Sequence, residues 1–116
     1  MPSEAVLLAR IRLAASAAGA RLFRNNVGVL RDARGRHVRY GLCPGSADLI
    51  GWVPYRILPE HVGQTVARFT AVEVKAATGR ATPAQTAFLA AVRRAGGVAF
   101  VARSEEDAVS LLGGVG

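Results

Sequence analysis

Three residues draw attention by type and spacing: Asp48 inside an otherwise apolar run, and Glu73 and Lys75 two positions apart at the end of another. Residues i and i+2 of a strand point to the same face, so Glu73 and Lys75 are expected to project together while Val74 turns into the core. A carboxylate and an ammonium then share one surface. The plain explanation is an ion pair at a strand end, yet exposed pairs contribute at most ~1 kcal/mol, and buried pairs often less than a hydrophobic substitute. Lys75 is also the chain's single lysine. Asp48, which follows Gly45 and Ser46, would be a buried carboxylate, costly unless an arginine or a metal ion accompanies it.

Two carboxylates converging with a neighbouring main-chain carbonyl form a hard-oxygen site suited to Mg²⁺, which keeps several waters and takes up substrate phosphate. Phosphodiester hydrolysis needs a cation against the developing negative charge, an acidified water and a positioned ammonium. Asp48, Glu73 and Lys75 are the residue types that would supply them.

The elements that must position these residues are read from capping and turn signals. Ser3 to Ala18 reads as an amphipathic helix, with Ser3 as cap, Val6, Leu7, Ile11, Leu13 and Ala14 as its apolar positions and Gly19 as its stop. Short extended pieces follow at Arg21–Arg24, Val27–Arg31 and His37–Tyr40, divided by Asn25-Asn26, Gly28 and the turn Asp32-Ala33-Arg34-Gly35. Ala47–Val53 and Phe69–Lys75 read as buried strands, and the segment from Pro54 to Arg68 as a loop or insertion. Thr82-Pro83-Ala84-Gln85 combines an N-cap, a proline at the first helical position and a glutamine at N3, which predicts a helix from Pro83 to about Ala95. Gly96-Gly97 ends it, Val98–Ala102 gives a strand, and Ser104-Glu105-Glu106-Asp107 opens a last helix reaching Leu112. The expected fold is α/β in the order α-β-β-β-α-β-α, with a mixed central sheet flanked by helices.

Composition bounds the partners. A chain of 116 residues, half hydrophobic and one-fifth charged, suits one ordered domain spanning 1–116. Its 15 basic against 8 acidic residues give a net charge of +7, a surplus that attracts polyanions. Arg21, Arg24, Arg31, Arg34, Arg36 and Arg39 cluster and would form a positive rim if they faced one way. Cys43 has no cysteine partner and no surrounding ligand cluster, which argues against zinc and for a reducing compartment. His37 and His61 receive no role. No apolar run approaches the ~20 residues of a membrane span, and the start lacks a basic leader, so a cytoplasmic location is expected, bacterial or in a phage-infected host.

The pattern Gly45-Ser46-Ala47-Asp48, then Glu73-Val74-Lys75, then Gln85, resembles the PD-(D/E)XK nuclease superfamily, and within it the virus-type replication-repair nuclease (VRR-NUC) branch. The likeness runs from Glu4 through Arg24-Asn25-Asn26-Val27-Gly28 to Arg103-Ser104 and is densest from Gly45 to Gln85. Ala47 stands where the family's name motif has proline, and the 25-position interval from Asp48 to Glu73 requires a loop or added hairpin.

The resemblance implies a restriction-endonuclease-like core and an endonuclease acting on DNA in replication, repair or recombination, structure-selective for branched or Holliday-junction-like DNA. By this analogy Asp48 and Glu73 would hold Mg²⁺ or Mn²⁺ with the Val74 carbonyl, Lys75 would orient or activate water, Gln85 would support the site, and Glu4 could add to it. Gln85 is equally explained as a cap, and Glu4 by first-turn charge complementation. Arg24, Asn25, Asn26, Arg34, Arg36, Arg39 and Ser46 are the expected nucleic-acid contacts, although Asn25, Asn26 and Gly28 are most simply a turn. Cutting two symmetric strands would require a homodimer, and a helicase or replication partner is compatible with the family. Two other readings stay open: a non-catalytic nucleic-acid-binding module, which would be indifferent to Mg²⁺, and a nuclease subunit active only with a partner.

Overall fold

The computed structural model describes residues 2–112. The chain divides at Val53–Pro54 into two compact units.

The first unit opens with helix α1, Glu4–Ala17, whose cap Ser3 accepts a hydrogen bond from the Val6 N–H. Strand β1 (Arg21–Arg24) pairs antiparallel with β4 (Leu49–Trp52), Arg24 opposite Leu49 and Arg21 opposite Trp52. Between them the chain makes an excursion, the antiparallel hairpin of β2 (Gly28–Arg31) and β3 (His37–Tyr40). Its turn is specified locally. Gly35 adopts the left-handed backbone its position requires, at φ +76°, and the Asp32 carboxylate accepts from the Arg34 and Arg36 N–H groups, both at 2.9 Å. The ladder face holding Arg21, Phe23, Ile50 and Trp52 is tied by side chains. Phe23 and Trp52 rings lie 5.5 Å apart, and the Arg21 guanidinium stands 5.8 Å from the Trp52 ring centroid. Arg12 of α1 donates to the Leu22 carbonyl at 3.2 Å, fastening the helix to β1.

The second unit begins with an irregular segment that holds a 3-10 turn at Pro59–His61, where the imidazole accepts from the Leu58 N–H and meets the Tyr55 hydroxyl at 3.0 Å. Strand β5 (Thr70–Val74) pairs parallel with β6 (Val98–Ala102) through the crossover helix α2 (Pro83–Arg94), and α3 (Glu105–Leu112) follows. The α2 start has the reciprocal cap expected from its sequence: Gln85 N–H donates to Thr82 Oγ1 and Thr82 N–H to Gln85 Oε1. Among the described residues the buried hydrophobic core is Leu89 and Val92 of α2 against Ala99, Phe100 and Ala102 of β6. Gly97 admits this closeness, since a Cβ there would strike the Phe69 carbonyl and the Val92 side chain.

With the β2–β3 excursion set aside, the elements run α-β-β-β-α-β-α, and the chain is mixed α/β. Three separate two-stranded sheets stand where one mixed central sheet was expected. The expectation of two buried strands also needs correction: β4 is half-buried along its length, and β5 alternates exposed and half-buried residues. An apolar run marks a strand but does not fix how deeply the strand is buried. Among the described residues, no helix is long and apolar enough to cross a membrane.

Candidate active site

In the second unit, the end of β5 brings Glu73 and Lys75 to the same side, as strand alternation requires. Lys75 Nζ lies 3.4 Å from Glu73 Oε1, with both side chains about one-quarter exposed (22% and 28%). The pair is fixed by backbone, because the Lys75 N–H donates to the Ala102 carbonyl and adds a rung beyond the β5–β6 pairing. Val74 does not turn into the core; it is 74% exposed. It sits at the tip of a strand with β6 as its one sheet partner, so alternation sends Val74 outward and leaves the charged pair on the more sheltered side.

Behind Lys75 the chain is held by a residue for which sequence reasoning gave no role. One guanidinium nitrogen of Arg103 donates to the carbonyls of Ala76 at 2.7 Å and Gly79 at 2.6 Å, with Ala77 at 3.4 Å. Asp107 accepts from the Arg103 N–H, and Ser104 Oγ accepts from the Asp107 N–H, so the start of α3 anchors this arginine's backbone. The signals in the sequence were its place directly after the last strand and its inclusion at the end of the family likeness.

Gln85 is half-buried, and its Oε1 is committed to the Thr82 N–H. What it can still offer is its NH₂ group, a donor suited to a phosphate or water oxygen and not to a metal ion.

In the first unit, Asp48 occupies the position just before β4 and is exposed. The expected buried carboxylate inside a buried strand is therefore not found. The ladder explains this: the Asn25 N–H takes the Asp48 carbonyl at 2.8 Å as its last rung, and the preceding residues are drawn into a loop. Asn25 organises that loop. Its amide donates to Ser46 Oγ at 2.8 Å and to the Ala47 carbonyl at 2.9 Å, and its Oδ1 accepts from the Leu42 N–H at 3.0 Å. Ser46 Oγ also donates to the Cys43 carbonyl at 2.7 Å and accepts from the Cys43 N–H. Both side chains, expected as nucleic-acid contacts, thus have their donors engaged within the chain and shape the approach to Asp48.

The arginines expected as a rim divide by what holds them. Arg24 Nε donates to Asn26 Oδ1 at 2.8 Å, and Arg36 Nε pairs with Asp32 Oδ2 at 2.8 Å. Hydrogen bonds from the Arg36 N–H, its guanidinium and the Arg34 N–H hold the Asp32 carboxyl below its ordinary value, with desolvation working against them. Arg34 and Arg39 are exposed on the hairpin. Glu4 is exposed in the first turn of α1, where its charge complements the helix dipole.

Among the described residues no three side chains of His, Cys, Asp or Glu gather as metal ligands. Cys43 stands alone and exposed, and the His61 ring nitrogens are occupied at the 3-10 turn. The donor chemistry at the end of β5 is oxygen only, the Glu73 carboxylate and main-chain carbonyls. Such a sparse oxygen set fits a hard cation that retains waters, and does not fit zinc.

Comparison with known families gives one match: the VRR-NUC domain model covers residues 15–106. That span contains Asp48, Glu73, Lys75, Gln85 and Arg103 and leaves Glu4 outside. No curated protein and no solved structure matches significantly.

Proposed function

The chain belongs to the VRR-NUC family, whose domains are nucleases with DNA as substrate, and we propose that it is a Mg²⁺- or Mn²⁺-dependent endonuclease hydrolysing DNA phosphodiester bonds. The observation that carries this reading is the half-sheltered Glu73–Lys75 pair at 3.4 Å on the end of β5, inside the matched span. Glu73 and the Val74 carbonyl would hold the ion, and the resemblance to the family pattern makes Asp48 a candidate ligand as well. When bound, the ion supplies charge neutralisation and a water of lowered pKa. Lys75 has three N–H donors, of which Glu73 engages one, so two remain to orient a water or a phosphate oxygen. The Gln85 NH₂ group is a further donor of the same kind.

Selectivity for branched or junction DNA is the finer part of the proposal. Its support is chemical: arginines that neutralise phosphates fix position but read no bases, which leaves the shape of the DNA as the discriminating property.

Labelled four-way junction, flap, duplex and single-stranded DNA, each incubated with Mg²⁺, with Mn²⁺ and with chelator, test the reading. The wild type is expected to cut only with metal and to prefer branched substrates, while Asp48→Ala and Lys75→Ala bind DNA without cutting it. Metal-independent cutting, or unimpaired cutting by both variants, would sink the proposal.

A second reading has its own observation. Large apolar side chains stand exposed, Leu13 at 72% in the first unit and Val62 at 82% in the second among them. A nuclease subunit completed by a second copy or by another replication or repair protein would cover such groups. A wild type that binds DNA as a monomer and cuts only after a partner is added would favour it.

A further inference from the structure

The β2–β3 hairpin is an excursion between β1 and its partner β4, and its strand residues are exposed apart from a half-buried Gly28. A two-stranded ribbon is marginal in water by itself. Its register sorts the side chains by face. Val29 lies opposite Arg39 and Arg31 opposite His37, so these four share one side, whereas Leu30, Val38, Gly28 and Tyr40 share the other. Tyr40 folds over Gly28 on that second side, where a Cβ at position 28 would meet the ring. A shallow depression is lined by Val29, Leu30, Arg31, His37 and Arg39.

The charge on the ribbon is unbalanced. From Gly28 to Tyr40 there are four arginines and one carboxylate, Asp32. That carboxylate is committed to Arg36 and the turn, and among the described residues the ion pairs are Asp32–Arg36 and Glu73–Lys75. Arg31 and Arg39 are therefore diagonal neighbours on one face, neither of them in an ion pair among the described residues, and Arg34 extends the same charge at the tip. Placing two unneutralised guanidinium groups side by side on a marginal ribbon is unfavourable in the free protein and favourable against a polyanion. The ribbon is also of the width that the major groove of duplex DNA admits.

We propose that the β2–β3 hairpin is a DNA clamp, its Arg31–Arg39 face neutralising backbone phosphates of a duplex arm. This rests on DNA being the substrate, and it assigns to one element a binding role that is separate from cleavage. The turn serves the clamp. Asp32 removes the charge of Arg36 from the tip and sets the register that puts Arg31 and Arg39 on one side.

The test is duplex DNA affinity by fluorescence anisotropy in chelator, over a range of salt concentrations. Wild type is compared with Arg31→Gln/Arg39→Gln and with a charge-matched control, Arg10→Gln/Arg94→Gln, on the exposed faces of α1 and α2. Each lost phosphate contact lowers the salt slope by ~0.9, so the hairpin variant should lose about two units of slope and bind roughly ten- to a hundred-fold more weakly. The control should stay within about two-fold of wild type. Circular dichroism confirms that each variant is folded, and if the double variant is not, Arg39→Gln alone should lose about one unit of slope. Equal losses in hairpin variant and control would overturn the clamp, as would an unchanged slope. So would a loss produced instead by Leu30→Ser/Val38→Thr with a fall in sedimentation mass, which would make the apolar side a contact between copies. Because binding is read without metal, a wild type that never cuts leaves the clamp result standing, and the clamp can fail while cleavage is intact.

Discussion

Lys75 Nζ lies 3.4 Å from Glu73 Oε1, two residues along the same strand, with the intervening Val74 facing outward. The contact is long for a hydrogen bond and leaves the ammonium with donors to spare. A partly exposed pair of this geometry stabilises the fold by about 1 kcal/mol at most, so removing the lysine should barely affect folding.

Lys75→Ala should melt close to wild type and yet lose cleavage by roughly 10²–10³-fold, the usual cost of removing one positioned donor to developing charge. Lys75→Arg should not restore it, because a planar guanidinium cannot occupy the site of a compact ammonium. Single-turnover cleavage rates at saturating enzyme check this. A rate for Lys75→Ala within three-fold of wild type would reduce the pair to an ion pair of no catalytic consequence.

Asn25→Ala removes three side-chain hydrogen bonds from the loop that leads into Asp48. With one of the three bonds part-buried and two exposed, and about 1 kcal/mol or less for each, the loss should be roughly 1–3 kcal/mol of stability. Cleavage should fall in parallel, while the salt slope of DNA binding stays as it was. Urea melts and anisotropy separate the two effects. A variant with unchanged stability and a reduced salt slope would instead make Asn25 a contact to DNA.

The hairpin turn should be sensitive to acid. Asp32 has a carboxyl held below its ordinary value, chiefly by the Arg36 N–H and assisted by the Arg36 guanidinium and the Arg34 N–H. A depressed folded pKa means that the folded state binds the proton less well than the unfolded state. The contribution is therefore fully present above the unfolded value of about 3.9 and is lost as pH falls through the lower folded value. NMR titration should place the Asp32 carboxyl below that reference, and Asp32→Asn should abolish the acid-induced shift of the turn amides. A titration at the ordinary carboxylate value would show that the turn does not hold the charge.

Much of this was legible in the sequence because it is local. Thr82-Pro83-Ala84-Gln85 carries a whole capping box within four residues, and Asp32 to Gly35 carries a whole turn, so neither depends on distant contacts. Strand alternation likewise sufficed to put Glu73 and Lys75 on one side. What failed was the depth of burial, which an apolar run does not fix. Asp48 and Val74 sit in apolar runs that suggest burial, but Asp48 is exposed just before the start of β4 and Val74 is exposed at the end of β5. The roles of Asn25 and Arg103 were invisible for a related reason. Their partners lie 17 to 22 and 24 to 27 positions away, and no spacing rule connects them.

Gln85 can be divided into its two roles by chemistry. Gln85→Glu keeps an oxygen acceptor for the Thr82 N–H and removes the NH₂ donor, and a carboxylate in the first turn also suits the helix dipole. Stability should hold or rise slightly. Cleavage should fall by about ten-fold or more if the NH₂ group supports phosphate or water, given that a positioned donor commonly contributes at least that much. Thr82→Ala is the complementary variant, expected to cost about 1 kcal/mol of stability while retaining cleavage per folded molecule. Full activity in Gln85→Glu would leave the residue as a cap alone.

Arg103 should behave as a positioning residue for Lys75. One guanidinium nitrogen gathers the Ala76 and Gly79 carbonyls within 2.7 Å, closing the turn that directly follows the lysine. Arg103→Lys retains the charge but offers a tetrahedral ammonium on a shorter reach, which cannot satisfy both carbonyls in the same geometry. The turn should then loosen and the ammonium of Lys75 should sample more positions, lowering kcat by about ten-fold with KM for DNA nearly unchanged. A rise in KM with kcat preserved would mean that Arg103 binds DNA itself. Equal kinetics to wild type, with the amides of Ala76 to Gly79 unshifted by NMR, would show that the turn holds without it.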